Sequence, residues 1–443
     1  MIRDKFVRVI SYLGAALALL IPAFINGYPL VYSDTSTYLA SGFELETPFD
    51  RPITYGLFIR FFSFNGYSLW TVLLAQSGIL AFLVIQLTKH VLLNNSLYPI
   101  LGFVICIFLS LFSSVSWTAS QIMPDIFTAI MFLSIVLLLE DDASRKKRYF
   151  LYFIFLISCA MHMSHVTIIF VYLPILFLFK KFLQPFHFKY KSILYLGLLT
   201  VASLLTMGSA LSKSKHVFLM GAFVEHGIIE KYLDENCKFK TYQLCAYKDS
   251  LPEKAWQFVW DETSPLYKLG TWGDSKEEFN SIIWNTFTQR KYIIEHIYAS
   301  VLATMDQLTQ FQIGDGNKPY TEETVLYQRI QKYVPSELHS YASSKQNKDE
   351  LGFMTWFNHL QLAIVCISLV CLIFFIILKE NSLNKIKLYL VSAVFINAWA
   401  CGTFANAIDR LGSKMIWIFP LLVILILLRI FNERHQLLKA NNE

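Results

Sequence analysis

A chain of 443 residues that is 55% hydrophobic, only 16% charged and +0.46 in mean hydropathy lacks the polar surface of a soluble domain, which carries roughly 25% charged residues. Its net charge of +6 is no nucleic-acid footprint, because Lys and Arg flank apolar runs instead of forming one dense patch. No nucleic-acid partner is expected, and the 16% of aromatic residues suits a lipid-facing surface with interfacial belts.

A membrane span needs about 20 apolar residues. The first run, 9–26, follows Arg3, Lys5 and Arg8 as a signal peptide would. No small-x-small cleavage site comes after it, so it reads as a retained helix that starts insertion. Further runs lie at 68–88, 97–116, 125–139, 149–163, 166–179, 192–211, 357–378, 386–406 and 415–430. As one helix, 149–179 would be about 46 Å long, against a bilayer core of about 30 Å. The polar cluster His162-Met163-Ser164-His165 at its middle instead predicts a turn between two short helices.

Ten spans with the N-terminus inside give the positive-inside pattern. Lys89, the run Arg145-Lys146-Lys147-Arg148, Lys180, Lys181, Lys189, Lys191, Lys379, Lys385, Arg434 and Lys439 fall on the cytoplasmic side, and the opposite connections 117–124 and 164–165 hold no Lys or Arg. The expected fold is an all-α integral membrane protein of about ten transmembrane helices in a plasma (inner) membrane, with both termini cytoplasmic.

Three parts follow. Residues 1–211 form an N-terminal membrane module whose first external loop is 27–67. Residues 212–356 form a mainly helical extracytoplasmic domain, because Glu277–Ile297 and Glu322–Tyr333 space apolar and charged residues as helices do. Residues 357–443 supply the last membrane helices and a cytoplasmic tail. The stretch Gly314-Asp315-Gly316-Asn317-Lys318-Pro319 reads as a loop. Cys106, Cys159, Cys366, Cys371 and Cys401 lie in apolar spans and read as packing residues. Cys237 and Cys245, on an oxidising face, are expected to form a disulfide; two free thiols are the alternative. Zinc would need further His and Cys at ligand spacing, and no metal site is assigned.

Ionisable groups gather at the external mouths of the spans. Asp34, in Tyr32-Ser33-Asp34-Thr35-Ser36-Thr37-Tyr38, is placed to cap a short helix, with Tyr38 one turn later on the same face. Asp50-Arg51-Pro52 precedes Tyr55–Phe62, which suits an interfacial helix. Asp125 follows Pro124 at the start of a span, where an acid is costly unless it meets water, a metal or a cation. His162, Ser164 and His165 occupy the third mouth; Asn406, Asp409, Arg410 and Lys414 occupy the last. Each has a plainer reading: a helix cap for Asp34, an end-of-span acid for Asp125, hydrogen-bonded turn residues for the histidines, local pairs with Asp50 and Asp409 or with headgroups for the arginines. Their collection on one face favours function.

That arrangement resembles the GT-C superfamily of membrane glycosyltransferases. Ser33-Asp34-Thr35-Ser36-Thr37-Tyr38 is similar to the acidic first-loop motif of that group, and Asp125 after Met123-Pro124 to its second-loop acid. The resemblance covers the topology of about the first 180 residues and only a few residues in motif. Asp50-Arg51-Pro52-Ile53-Thr54-Tyr55-Gly56, Ser68-Leu69-Trp70 and Arg410…Trp417 are also similar to bacterial multi-pass membrane proteins of no assigned role. The resemblance implies a polyprenyl-phosphate-linked sugar donor drawn from the membrane lipid, a glycan or lipid acceptor, and chemistry on the extracytoplasmic face. It implies Asp34 as catalytic base or acceptor positioner with Asp125 beside it. Tyr38, Arg51, Tyr55, His162, His165, Arg410 and Lys414 then contact substrate. The resemblance fixes no cofactor and leaves a divalent metal open. The chain departs from many members by placing its large external domain between spans seven and eight instead of at the C-terminus. A transporter or flippase of lipid-linked material, or a non-catalytic membrane assembly protein, are the competing expectations; a transporter places its ionisable groups at mid-membrane depth.

Overall fold

The computed structural model describes residues 2–93, 95–140, 144–182, 190–208 and 210–440. Among them the regular structure is helical, apart from one isolated pair of bridged residues. The N-terminal part runs α1 (Ile2–Ala18), α2 (Ile21–Asn26), α3 (Thr35–Glu44), α4 (Thr54–Phe62), α5 (Trp70–Val91), α6 (Tyr98–Phe112), α7 (Val115–Ala119), α8 (Ile126–Glu140), α9 (Arg145–Ala160), α10 (Met163–Phe182) and α11 (Tyr190–Leu204). The central part runs α12 (Ala210–Glu225), α13 (Ile228–Asn236), α14 (Ala255–Trp260), α15 (Pro265–Lys268), α16 (Lys276–Thr288), α17 (Arg290–Thr309), α18 (Val325–Tyr333) and α19 (Leu338–Ala342). The C-terminal part runs α20 (Met354–Ile377), α21 (Asn384–Phe404), α22 (Asp409–Ile416) and α23 (Ile418–Ala440).

Six helical segments among the described residues are long and apolar enough to cross a membrane: Trp70–Val91, Met163–Lys181, Tyr190–Met207, Met354–Ile377, Asn384–Phe404 and Asp409–Leu438. A helix satisfies every backbone group internally, which is what hydrocarbon demands. The other four expected runs also lie on helices, but shorter or more polar ones. α6 and α8 are apolar yet only 15 residues each. The first run is divided between α1 and α2, and α9 opens on Arg145-Lys146-Lys147-Arg148.

The stretch 149–179 breaks at Met161-His162, between α9 and α10. Polar groups carry the break: the Ser164 amide donates to His162 Nδ1 at 3.2 Å and the His165 amide to the His162 carbonyl at 3.1 Å. α8 lies at the centre of the molecule, buried from Ile126 through Leu139. α20 lies at the edge and exposes Ile367, Val370, Ile373 and Ile376.

The stretch 212–356 divides chiefly between two cores, with Ile313 and Leu351 in a small third cluster beside Leu30 and Trp117. Val217, Phe223, Tyr232, Phe258, Phe279 and Tyr292, among others, form a second core of their own, with the Cys237–Cys245 disulfide packed against it. Phe311, Tyr320, Leu326, Ile330 and Tyr341 join the main core instead. α18 lies over α3, where Glu44 accepts from Arg329 at 2.6 Å and Lys332 at 3.0 Å.

Between α3 and α4 the backbones touch. A Cβ on Gly42 would stand 2.1 Å from the Gly56 carbonyl oxygen, so only glycine permits this approach.

Candidate functional site

Backbone hydrogen bonds sew the first external segment to the connection before α8. The Leu30 amide donates to the Ser120 carbonyl and the Ile122 amide to the Leu30 carbonyl, both at 2.9 Å, making a single parallel bridge between Leu30 and Gln121. Gln346 closes the other edge: its Nε2 donates to the Val31 carbonyl at 2.8 Å and its Oε1 accepts from the Val31 amide at 3.1 Å. Thr35 Oγ1 accepts from the Tyr32 amide and donates to the Ile122 carbonyl, each at 3.0 Å. Gln76, fully buried in α5, donates to the carbonyls of Ala119 and Gln121 and accepts from the Tyr55 hydroxyl. Asp34 and Asp125 are thereby set on one rigid frame, although 91 positions separate them in the sequence.

Asp34 occupies the residue before α3 but its side chain caps nothing. The carboxylate is taken by two guanidinium groups: Arg51 Nη1 at 3.2 Å from Oδ1, and Arg410 Nη1 at 3.4 Å from Oδ2. The capping role therefore does not describe Asp34. Arg51 also binds Asp50 through Nε and Nη2, at 2.9 and 2.5 Å, so its local pair and its long-range pair coexist. Arg410 is different: Asp409 accepts from the Gln312 amide at 2.8 Å, while the Arg410 guanidinium turns to Asp34 and Asp125. Arg410 Nε stands 3.9 Å and Lys414 Nζ 3.7 Å from the Asp125 carboxylate. Lys414 is 1% and Asp125 2% accessible at the side chain, against 28% for Asp34; the cluster thus opens at Asp34 and closes at Lys414.

These pairs are loose. Arg51 Nη1, Asp125 Oδ2, Arg410 Nε and Lys414 Nζ are all buried without a hydrogen-bond partner. Buried charges are costly unless hydrogen bonds satisfy them, and four such atoms in one cluster leave donor and acceptor positions open side by side. Tyr rings complete the cations' surroundings: the Arg410 guanidinium lies 4.2 Å from the Tyr32 ring centre and that of Arg51 5.2 Å from Tyr38, within cation–π range.

Burial raises the Asp34 carboxyl, but Arg51 and then Arg410 outweigh it and hold the group below its ordinary 3.8. Asp34 is accordingly ionised at neutral pH. Burial pushes the Tyr32 hydroxyl up to about 12, which keeps the phenol neutral against the guanidinium.

The other sequence-assigned residues divide. Tyr38 lies in the cluster. Tyr55 stands behind it, its ring edge-on to Tyr38 at 5.0 Å and its hydroxyl spent on Gln76. His165 is fully buried and bonded on both ring nitrogens, Nε2 with Thr128 at 2.8 Å and Nδ1 with the Ser158 carbonyl at 2.6 Å, which is the bonding of a turn staple. His162 bonds Ser164 at 2.8 Å. Among the described residues no three His, Cys, Asp or Glu side chains are grouped as metal ligands.

Sequence reading passed over Asp315, Tyr32, Gln121 and Asn317. Asp315 Oδ2 accepts from the Arg410 amide at 3.4 Å. Asn317 Oδ1 accepts from Gln121 at 2.8 Å. Gln121, Asp315 and Asn317, with Trp117, Gln312 and Arg410, line a small polar cleft beside the ion cluster. The available signal was a Gly-Asp-Gly-Asn turn within an otherwise helical segment. Gly316, at φ +71°, packs so tightly on Tyr32 that a Cβ would fall 1.6 Å from Cε2 of the ring.

The chain matches no family model, no curated protein and no solved structure.

Proposed function

We propose that this protein is an extracytoplasmic glycosyltransferase of the GT-C kind, moving a sugar from a polyprenyl-phosphate-linked donor to a glycan or lipid acceptor. We further propose ten membrane crossings, both termini cytoplasmic, and residues 212–356 outside. The observation that carries the reading is the set of buried atoms on Arg51, Arg410, Lys414 and Asp125 that sit in ion pairs but have no hydrogen-bond partner, around a partly open Asp34.

The chemistry divides among those groups. Arg51, Arg410 and Lys414 offer donors to phosphate oxygens, and the planar Arg forks suit them best. Phosphate is the leaving group, so cations that grip it lower the barrier as its charge develops. Asp34 faces the acceptor hydroxyl as base. With both arginines on it, Asp34 is a weak base; a donor phosphate that draws Arg51 and Arg410 away restores its basicity. Base strength is thus coupled to donor binding. Asp125 keeps Lys414 and Arg410 in place from the closed side.

The test is binding of a polyprenyl phosphate to the full-length protein in nanodiscs. Arg410→Ala and Lys414→Met should each weaken it at least tenfold, about 1.4 kcal/mol. Equal affinity in wild type and both variants, or no binding at all, removes the proposal.

A further inference from the structure

α17 carries an uncovered apolar face. Ile294, Ile297, Tyr298, Val301, Leu302 and Met305 are 50–63% exposed. At 100° per residue they span one arc of about 140°. The first turn holds Arg290 and Lys291, and no charged residue falls on the arc between Ile294 and Met305. The opposite side of the same helix is clamped onto α21, one of the segments long and apolar enough to cross a membrane. There Ser300 bonds Thr403 and Trp399, each at 2.9 Å, and Gly402 meets the Ala303 carbonyl so closely that a Cβ would stand 2.4 Å from it. Close approach through small residues is how membrane helices pair.

A helix held along a span by one side turns its other side to whatever surrounds that span. α21 exposes Phe395, one helical turn before Trp399, which bonds Ser300 of α17, so the span is apolar and uncovered next to its contact with α17. Six large apolar side chains in one contiguous face exceed the scattered exposure normal for a surface in water.

We infer that the Ile294–Met305 face of α17 is sunk in the outer leaflet and contacts lipid acyl chains, so that the segment between the second core and the ion cluster is membrane-embedded without adding a crossing. The leaflet rests on the topology proposed above, while the lipid contact uses none of the ion-cluster residues and is independent of the glycosyltransferase chemistry.

Spin labels on the full chain in liposomes test it. Cys366 and Cys371 are replaced by Ser to clear the accessible thiols, and single labels are placed at Ile297→Cys, Val301→Cys, Ile373→Cys on α20 and Asp249→Cys on the second unit. Labels at 297 and 301 should collide with dissolved oxygen in preference to a water-soluble nickel chelate, as the label at 373 does, whereas 249 should show the reverse. Nickel accessibility at 297 and 301 equal to that at 249 overturns the inference. Protection from both reagents also overturns it, since a second copy or another protein then covers the face.

Discussion

Asp34 and Arg410, 376 residues apart in the chain, meet at 3.4 Å. One acid at the start of the molecule and one base near its end therefore share a single cluster, and the same Arg410 reaches Asp125 through Nε. The first prediction tests that relationship. Asp34→Asn keeps the shape of the side chain and removes its charge, so the protein should still insert and fold, with a lower melting temperature because Arg51 and Arg410 lose a counter-charge. Transfer activity should fall by about 10² to 10⁴, the usual loss for a general base, read as product formed per unit of correctly inserted protein. Wild-type activity in Asp34→Asn sinks the assignment.

The depressed Asp34 carboxyl has a pH signature. A carboxyl whose folded pKa lies below its unfolded value contributes stability above that unfolded value, and the contribution disappears as pH falls through the folded value. For Asp34 that window lies under 3.8, so wild type should lose no stability from this group between about pH 5 and 8. Arg51→Gln removes the stronger of the two cations and leaves the burial, which moves the carboxyl upward. The acid limb of a melting-temperature profile should therefore shift to higher pH in Arg51→Gln. Superimposable profiles count against the pairing.

Gly316→Ala should strike the cluster without touching a charge. The added Cβ meets the Tyr32 ring at a positive φ, and overpacking of this kind costs about 1–3 kcal/mol. Displacement of Tyr32 also removes the ring from under Arg410. We expect a lower melting temperature together with a several-fold loss of polyprenyl phosphate binding; unchanged binding would separate the turn from the site.

The Cys237–Cys245 bond closes a loop eight positions long, which in the chain-entropy treatment stabilises by about 2–3 kcal/mol. Unreduced peptide maps should recover the two residues linked. Double substitution to Ser should lower the stability of the unit around Tyr232 and Phe258 and leave the ion cluster in place, as followed by protease sensitivity between 210 and 292.

Topology is open to direct measurement. Compartment reporters inserted after Lys240 and at the C-terminus should give opposite signals; matching signals exclude the ten-crossing arrangement proposed above.

Much of this architecture can be read in the sequence because membrane helices follow rules that are local. Apolar length placed α5, α10, α11, α20 and α21, and the His162-Met163-Ser164-His165 cluster located the α9–α10 turn. The cluster was legible as a set of charges at span mouths, since an acid such as Asp125 at a helix end needs an explanation. What could not be read was partnership. Nothing local tells Arg410 to ignore Asp409 and reach Asp34, or assigns the adjacent Asp315 turn to the same place. The 212–356 stretch reads as one domain because its helices look alike in composition, whereas its division between two cores depends on contacts distant in sequence.

Asp125 has a temporal consequence. A ribosome adding roughly 5–20 residues per second makes Asp125 and α8 long before Lys414, which follows about 290 residues later; the interval is roughly 15–60 s. Through it Asp125, at the head of the central helix, is unmatched by either of the cations that finally flank it. A nascent chain stopped between α8 and α22 would hold Asp34, Arg51 and Asp125 but lack Arg410 and Lys414. The full set of charges comes together only once α22 has been made.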